Sequence, residues 1–324
     1  MAIRTTVVGS YPKPPAEGDT FVVRKTLHAI ERGEATPEDL SAAQEDLVRA
    51  VIGEQEAAGV DLVTDGLARW DDIVTPFARN LGGFEIGGLL RWFDNNVYYR
   101  RPVCTGPVEW RGPTSVEAFT FAQSVASKPV KAVLPGPVTF ARLSVDEHYA
   151  DHGAFVEALT PVLAREAREL EAAGATTIQI DEPCLLDAPE DLGLARAAIG
   201  AITSELDSAS TVLATYFGDA KRLGTDLFEI PVDGFGFDLV SGPESLELIG
   251  GVPNDKWIQA GIVDARNTKL EEPEDVRGLV TTLVEAVGPE RLWLSPSAGL
   301  EFLPREKARA KLERLVQIAK EVGA

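Results

Sequence analysis

Short apolar segments recur eight times along the chain, and each ends at or near a glycine, proline, aspartate or serine. Helical stretches separate them, such as 157–173, in which apolar residues recur at spacings of three and four before Gly174. Strands that alternate with helices predict parallel βα units. The predicted strands are 5–9, 61–65, 130–134, 177–181, 211–217, 236–240, 257–262 and 292–295.

Eight such units predict an α/β chain closed into a single (β/α)8 TIM barrel, with an open doubly wound sheet as the competing architecture. A barrel of this kind commonly needs about 250 residues or more, so we expect one domain spanning 1–324. The segment 84–112 departs from this rhythm, because aromatic residues flank the turn-forming sequence Asp94-Asn95-Asn96. We expect an aromatic insertion after strand 2, as a hairpin or extended loop over the barrel mouth.

The charge of the chain limits its partners. The formal net charge is −20, which argues against nucleic acid and against an anionic membrane surface, because both need a basic face. No apolar run approaches the roughly 20 residues that span a bilayer. The two cysteines, Cys104 and Cys184, form no paired motif, and the first residues lack a signal-peptide layout. We therefore expect a cytoplasmic protein that acts on a small molecule.

Polar residues follow most of the predicted strands, and active sites in this fold lie at the carboxyl ends of the strands. Alternation along a strand predicts that one carboxylate of Asp181-Glu182-Pro183 points inward and the other sideways. Two acids there could hold a substrate ammonium or act as acid and base; alternatively, they cap the following helix or pair with an arginine on a neighbouring strand. The predicted catalytic residues are Asp181, Glu182 and Tyr216, and the predicted substrate-binding residues are Ser10, Asp65, Trp70 and Asp238.

Signals for cofactors are weak. His148 and His152 are four residues apart, a spacing that on a helix would place two imidazoles on one face, as in half of a metal site. No third ligand accompanies them, so we interpret both as surface histidines. The chain has neither a Walker motif nor a G-x-G-x-x-G motif after a strand, so no nucleotide cofactor is expected.

The ordered motifs resemble those of cobalamin-independent methionine synthase, a methyltransferase family of methionine biosynthesis with two related barrels in tandem. The similar segments span nearly the whole chain: 5–12, 58–66, 134–139 and 178–183, the last reading Ile178-Gln179-Ile180-Asp181-Glu182-Pro183. A second set is most similar to the N-terminal, zinc-free barrel of the family: 91–96, 215–218, 231–240 and 260–267.

The resemblance also implies what this chain has lost. The catalytic barrel of the family holds zinc with a His-x-Cys pair after strand five, a Glu after strand six and a Cys after strand eight. The first pair and the last cysteine correspond here to Ala214, Tyr216 and Ala298, and the acidic homocysteine contact after strand two corresponds to Leu67. Only Asp181 and Ser10 match the amino-acid pocket. We therefore expect neither zinc nor another cofactor in this chain.

Three functions remain open at this point. The chain could be one half of a split methionine synthase, with a separate zinc-bearing barrel as its partner in methyl transfer to homocysteine. It could instead be a stand-alone, zinc-independent enzyme that uses Asp181, Glu182 and Tyr216 on a small amino-acid-like or anionic substrate. The third hypothesis is a non-catalytic partner barrel, because a fold does not fix a function.

Overall fold

The computed structural model describes residues 3–15, 20–95 and 97–322. Asn96 of the predicted turn, and the first two and last two residues of the predicted domain 1–324, lie outside the described residues. Within those ranges, no helix is both long enough and apolar enough to cross a membrane.

A curled parallel sheet of seven strands forms the centre of the molecule. Its members are β1 (Arg4–Thr5), β4 (Ala132–Pro135), β6 (Thr177–Asp181), β7 (Ser210–Ala214), β8 (Gly234–Asp238), β9 (Trp257–Val263) and β10 (Leu292–Pro296). They pair in the order β1-β10-β9-β8-β7-β6-β4. Each of the seven overlaps a predicted strand, with ends that differ by up to four residues because strand ends depend on pairing rather than on local pattern.

The predicted strand 61–65 is not a regular strand. It forms two isolated parallel bridges, Thr6 with Leu62 and Val63 with Val130. The side chain of Asp61 takes part in this pairing, since its Oδ2 accepts a hydrogen bond from the Thr5 amide at 2.9 Å. The two bridges lie next to the edge strands of the sheet, β1 and β4, and not within them.

Ten α-helices surround the strands in the described part of the chain. They are α1 (Val22–Glu31), α2 (Pro37–Ala58), α3 (Thr75–Asn80), α4 (Val116–Val125), α5 (Pro137–Leu143), α6 (His152–Ala172), α7 (Leu192–Thr203), α8 (Leu246–Ile249), α9 (Pro273–Val287) and α10 (Arg305–Val322). Thr36 and Asp39 form a reciprocal capping box at the start of α2, as the sequence Thr36-Pro37-Glu38-Asp39 predicts.

A second, smaller sheet contains the aromatic segment. Strands β2 (Gly82–Arg91) and β3 (Tyr98–Glu109) form an antiparallel hairpin, and β5 (Val145–Asp146) pairs with β3 in parallel. Trp92 and Tyr99 are buried at the end of this hairpin. Their rings meet edge to face, with centroids 5.4 Å apart, so the aromatic end of the hairpin packs as a rigid unit.

Parallel pairing places the carboxyl ends of all seven strands at the same end of the sheet. Every residue of β4 and β8 is buried. In β6 and β7, every residue except the first is buried, as expected for a parallel sheet covered by helices. Side chains that follow the strands therefore converge on the same side, and the helices hold them there.

The buried carboxylate of Glu166 on α6 holds the start of α4. It accepts hydrogen bonds from the amides of Thr114 and Ser115, at 2.9 and 2.6 Å, and from the Ser115 hydroxyl. Glu166→Ala would leave these donors without an acceptor, so we expect a loss of about 3 kcal/mol in the free energy of unfolding, measured by urea denaturation. Glu157→Ala, at an exposed position of the same helix, should change it by less than about 0.5 kcal/mol. Equal effects of the two substitutions would contradict this assignment.

Candidate active site at the strand ends

Asp181 lies at the carboxyl end of β6 and is buried. Its Oδ1 accepts a hydrogen bond from Gln179 Nε2 at 2.6 Å, and its Oδ2 accepts one from the Tyr216 hydroxyl at 3.0 Å. Burial raises the pKa of the Asp181 carboxyl to about 7. Two of the predicted catalytic residues, Asp181 and Tyr216, are therefore in direct contact.

A buried lysine supports this pair from inside the sheet. Lys131 Nζ donates to Val7 O and to Gln179 Oε1, both at 2.6 Å, and to Gln259 Oε1 at 3.0 Å. Burial lowers the pKa of Lys131 to about 7. Because the lysine occupies the amide oxygen of Gln179, the amide nitrogen is directed towards Asp181.

Sequence reasoning missed Lys131 and Gln179. A signal was present, because each is a polar residue within an otherwise apolar strand, in Val130-Lys131-Ala132 and Ile178-Gln179-Ile180. A polar residue at an inward position of such a strand needs a buried partner.

Glu182 points sideways from the strand, and both its oxygens accept backbone hydrogen bonds. The donors are the amides of Val138, at 2.9 Å, and Thr139, at 2.7 Å, in the first turn of α5. Burial raises the pKa of the Glu182 carboxyl to about 7. The carboxylate therefore caps α5, the helix that follows β4, and its catalytic role stays a prediction.

Ser10 and Trp70 lie beside two charged residues that sequence reasoning missed. The Ser10 hydroxyl donates to Glu301 Oε2, and the Lys13 amine donates to the carbonyl oxygen of Trp70. Burial raises the pKa of Glu301, and its charge also raises the pKa of Asp181, so the two carboxylates are neighbours. Glu301 follows β10 in a short 3-10 turn, where no strand-end pattern marks it. We call Ser10, Asp181, Tyr216 and Glu301 the strand-end site.

Asp65 and Asp238 stabilise the loops around this site. Asp65 Oδ1 accepts a hydrogen bond from the Leu67 amide at 2.9 Å. Asp238 accepts hydrogen bonds from the amides of Ser241, at 2.7 Å, and Phe217, at 3.1 Å. Leu67 and Phe217 both have positive φ angles, of 47° and 72°, so these carboxylates hold loops in a conformation that side chains disfavour. Substrate binding by either aspartate stays a prediction.

The hairpin extends over the strand-end site. Phe93, next to Trp92, contacts Phe217 with ring centroids 5.2 Å apart. Phe217 in turn meets the ring of Tyr216 at 4.8 Å and that of Phe302 at 5.8 Å. An aromatic layer therefore covers the Tyr216–Asp181 pair.

The positions that the family resemblance assigns to zinc ligands do not fit a zinc ion. Ala214 and Ala298 carry no donor atom, and the Tyr216 hydroxyl donates its proton to Asp181. Burial and the Asp181 charge raise the pKa of Tyr216 well above its usual range, which opposes a phenolate ligand. Among the described residues, no group of three or more His, Cys, Asp and Glu side chains is arranged to hold a metal.

The remaining histidines and cysteines are placed elsewhere. His152 begins α6 and its Nε2 lies 2.8 Å from Asp191 Oδ2, whereas His148 precedes the helix and packs on Tyr149. The two imidazoles therefore do not share a helix face, because the helix starts only at the second histidine. Burial raises the pKa of Cys104 to about 11 and that of Cys184 to about 12, so both are thiols at neutral pH.

The fold is that of a parallel α/β domain with polar residues at its strand ends, and the family model "Cobalamin-independent synthase, Catalytic domain" matches residues 3–321. The chain belongs to this family. It is 35% identical to the methionine synthase of Saccharolobus solfataricus over 320 residues, which cover 98% of this chain and 94% of that protein. It is 33% identical to the methionine synthase of Sulfurisphaera tokodaii, covering 97% and 90%.

A solved structure agrees in fold. The B12-independent methionine synthase from Shewanella sp. W3-18-1, determined in complex with selenomethionine, superposes with a TM-score of 0.85. It is 23% identical, with 99% of this chain and 98% of that chain covered. The matching family model describes the catalytic domain, so this comparison gives no support to a greater similarity of this chain to the zinc-free barrel, which stays a prediction.

The raised pKa of Asp181 predicts a pH-dependent stability. Because the folded protein holds this proton up to about pH 7 and the unfolded chain releases it near pH 4, the stabilising effect is complete below about pH 4 and lost as the pH rises to 7. We measure the free energy of unfolding of wild type and of Asp181→Asn by chemical denaturation at several pH values. The wild-type value minus the variant value should fall by up to about 1.4 kcal/mol per pH unit across this window. Asp226→Asn, at an exposed position, is the control. If the free energies of unfolding of wild type and Asp181→Asn changed in parallel with pH, the assignment of a raised pKa to Asp181 would be wrong.

Proposed function

We propose that this chain is the zinc-free barrel of a two-chain methionine synthase and acts in methyl transfer to homocysteine together with a separate zinc-bearing barrel. The chain is one domain, in which the bridges of Leu62 and Val63 complete a (β/α)8 barrel and the hairpin is an insertion over its mouth. It works in the cytoplasm, in keeping with two cysteines that form no disulfide.

The observation that carries this proposal is the side-chain chemistry at the zinc-ligand positions. A free thiol has a pKa of about 8.5, so forming a thiolate at neutral pH needs a metal or a cationic neighbour. Ala214 and Ala298 supply neither, and Tyr216 is hydrogen-bonded to Asp181. A second chain must therefore activate the homocysteine thiol.

The hydrogen bonds of the other acids support a role that depends on a partner. Glu182 caps α5, and Asp65 and Asp238 hold loops through backbone amides. These carboxylates are occupied with the scaffold, which leaves few groups at the barrel mouth for acid–base chemistry. At the barrel mouth, the aromatic rings of Phe93 and Phe217 form a surface that a partner chain can contact.

One observation favours a stand-alone enzyme as the second candidate. Asp181 is buried and the neighbouring Glu301 is partly buried, and the loss of hydration raises the pKa of both carboxyl groups because it disfavours their charged forms. An ammonium group placed between them would relieve this cost. The strand-end site would then bind a small amino-acid-like substrate without zinc.

Reconstitution tests the two-chain proposal. This chain and a zinc-bearing barrel of the family from the same organism are purified separately, and zinc is measured by mass spectrometry. Methionine formation from homocysteine and 5-methyltetrahydropteroyltriglutamate is then followed for each chain and for the mixture. We expect no stoichiometric zinc and no turnover with this chain alone, and a rate for the mixture at least about tenfold above that of the zinc-bearing barrel.

The controls separate the two candidates. Stoichiometric, tightly bound zinc in this chain would contradict the argument from the lost ligands. A mixture no faster than the zinc-bearing barrel would contradict the partnership. Turnover by this chain alone, abolished by Asp181→Asn but retained by Asp226→Asn, would establish the stand-alone enzyme instead.

A further inference from the structure

A small cavity lies beneath the hairpin, beside the Ser10–Glu301 pair. Its volume is about 60 Å³, which suits a compact head group rather than a whole cofactor. Four aromatic residues contribute to its lining: Trp70, Trp92, Tyr98 and Tyr99. We call it the hairpin cavity. Ser10 is the one lining residue that the methionine synthase resemblance assigns to the amino-acid pocket, and the resemblance gives the aromatic walls no role.

Contacts within the protein hold the aromatic lining residues in place. Trp92 and Tyr99 are buried and meet at an interplanar angle of 80°, so they form two walls at nearly a right angle. The Tyr99 hydroxyl donates to Leu143 O at 2.8 Å, which fixes its ring. Trp70 is buried as well and packs edge to face on Phe77 at 5.2 Å. Aromatic faces carry negative potential and attract cations, tryptophan most strongly.

The charged lining residues are predominantly acidic. Glu301, Asp71 and Asp72 face one amine, that of Lys13, whose ammonium donates to the Trp70 carbonyl oxygen. Asp72 caps α3 through the amides of Val74 and Thr75, and Asp71 pairs with Arg79. Glu301 differs, because the side-chain hydrogen bond to its carboxylate comes from the neutral Ser10 hydroxyl rather than from a cation. Glu301 can therefore face a second cation.

The behaviour of Lys13 indicates which cation the cavity can take. Burial lowers the pKa of Lys13, even though Asp71 and Glu301 act in the opposite direction. The cavity therefore attracts positive charge but penalises a strongly hydrated primary ammonium. A methylated ammonium or sulfonium spreads its charge over methyl groups and has little or no N–H hydration to lose, so it meets the attraction with a smaller penalty.

We propose that the hairpin cavity binds a compact organic cation with a methylated ammonium or sulfonium head group. The methyl groups contact Trp70, Trp92 and Tyr99, Tyr98 lies at the exposed rim, and the Glu301 carboxylate balances the charge. This site requires neither zinc nor a partner chain, so it can fail or succeed independently of the two-chain methionine synthase.

Calorimetric titration of the full chain tests this site with three probes. Choline and trimethylsulfonium carry the two kinds of head group, and 3,3-dimethylbutan-1-ol is the neutral isostere of choline. We expect saturable binding of at least one cation, about tenfold tighter than the isostere, because cation–π and carboxylate attraction need the charge. The tighter of the two cations identifies the head group. Equal affinity for choline and the isostere, or no saturable binding of either cation, would overturn the proposal.

Variants locate the site. Glu301→Gln keeps the shape but removes the charge, and we expect about tenfold weaker cation binding with the affinity for the isostere unchanged. Tyr98→Ala removes a rim residue that is 58% exposed, so the fold should tolerate it, and about threefold weaker binding is expected. Glu85→Gln, an exposed carboxylate on the same hairpin outside the cavity, is the matched control. With melting temperatures confirming folded protein, wild-type affinity in Glu301→Gln would refute the assignment.

Discussion

The ammonium of Lys131 inside the parallel sheet is the interaction on which the strand-end site depends. It is buried among three oxygen acceptors, those of Val7, Gln179 and Gln259. Because it occupies the Gln179 oxygen, it directs the amide nitrogen to Asp181, and Asp181 in turn receives the Tyr216 hydroxyl. One buried amine thus orients a chain of hydrogen bonds that ends where the strands end. Removing a buried lysine of this kind would leave its acceptors without a donor.

This chain differs from a zinc-dependent synthase in the chemistry of its strand ends rather than in its fold. At the positions that the resemblance assigns to zinc ligands, the chain has two alanines and a tyrosine that is hydrogen-bonded to Asp181. The nearby carboxylate of Glu182 accepts hydrogen bonds from backbone amides. The family relationship covers residues 3–321. Membership of a family does not by itself fix the chemistry at the strand ends, because function resides in sites and not in folds.

Local patterns predicted much of the architecture. The strand at 177–181 and the cap at Thr36 follow from alternation and capping chemistry, which involve only neighbouring residues. The segment 61–65 was predicted as a strand, but it forms only single bridges because its partners, Thr6 and Val130, are set by the sheet. The spacing of His148 and His152 would put both imidazoles on one face only if both lay on a helix, and the helix begins at the second histidine. The alternative to a catalytic Glu182 was a cap on the following helix, whereas Glu182 caps α5, which follows β4.

The sequence by itself determined the alternating βα order, the acidic character of the chain and the contrast between its strand ends and a zinc site, because these depend on residue type and local spacing. Only the tertiary structure decided which groups meet. Ser10 and Glu301 are 291 positions apart, and Lys131 and Gln259 are 128 apart, yet each pair is joined by a hydrogen bond. The first and last strands, β1 and β10, pair side by side in the sheet, and no local pattern encodes that pairing.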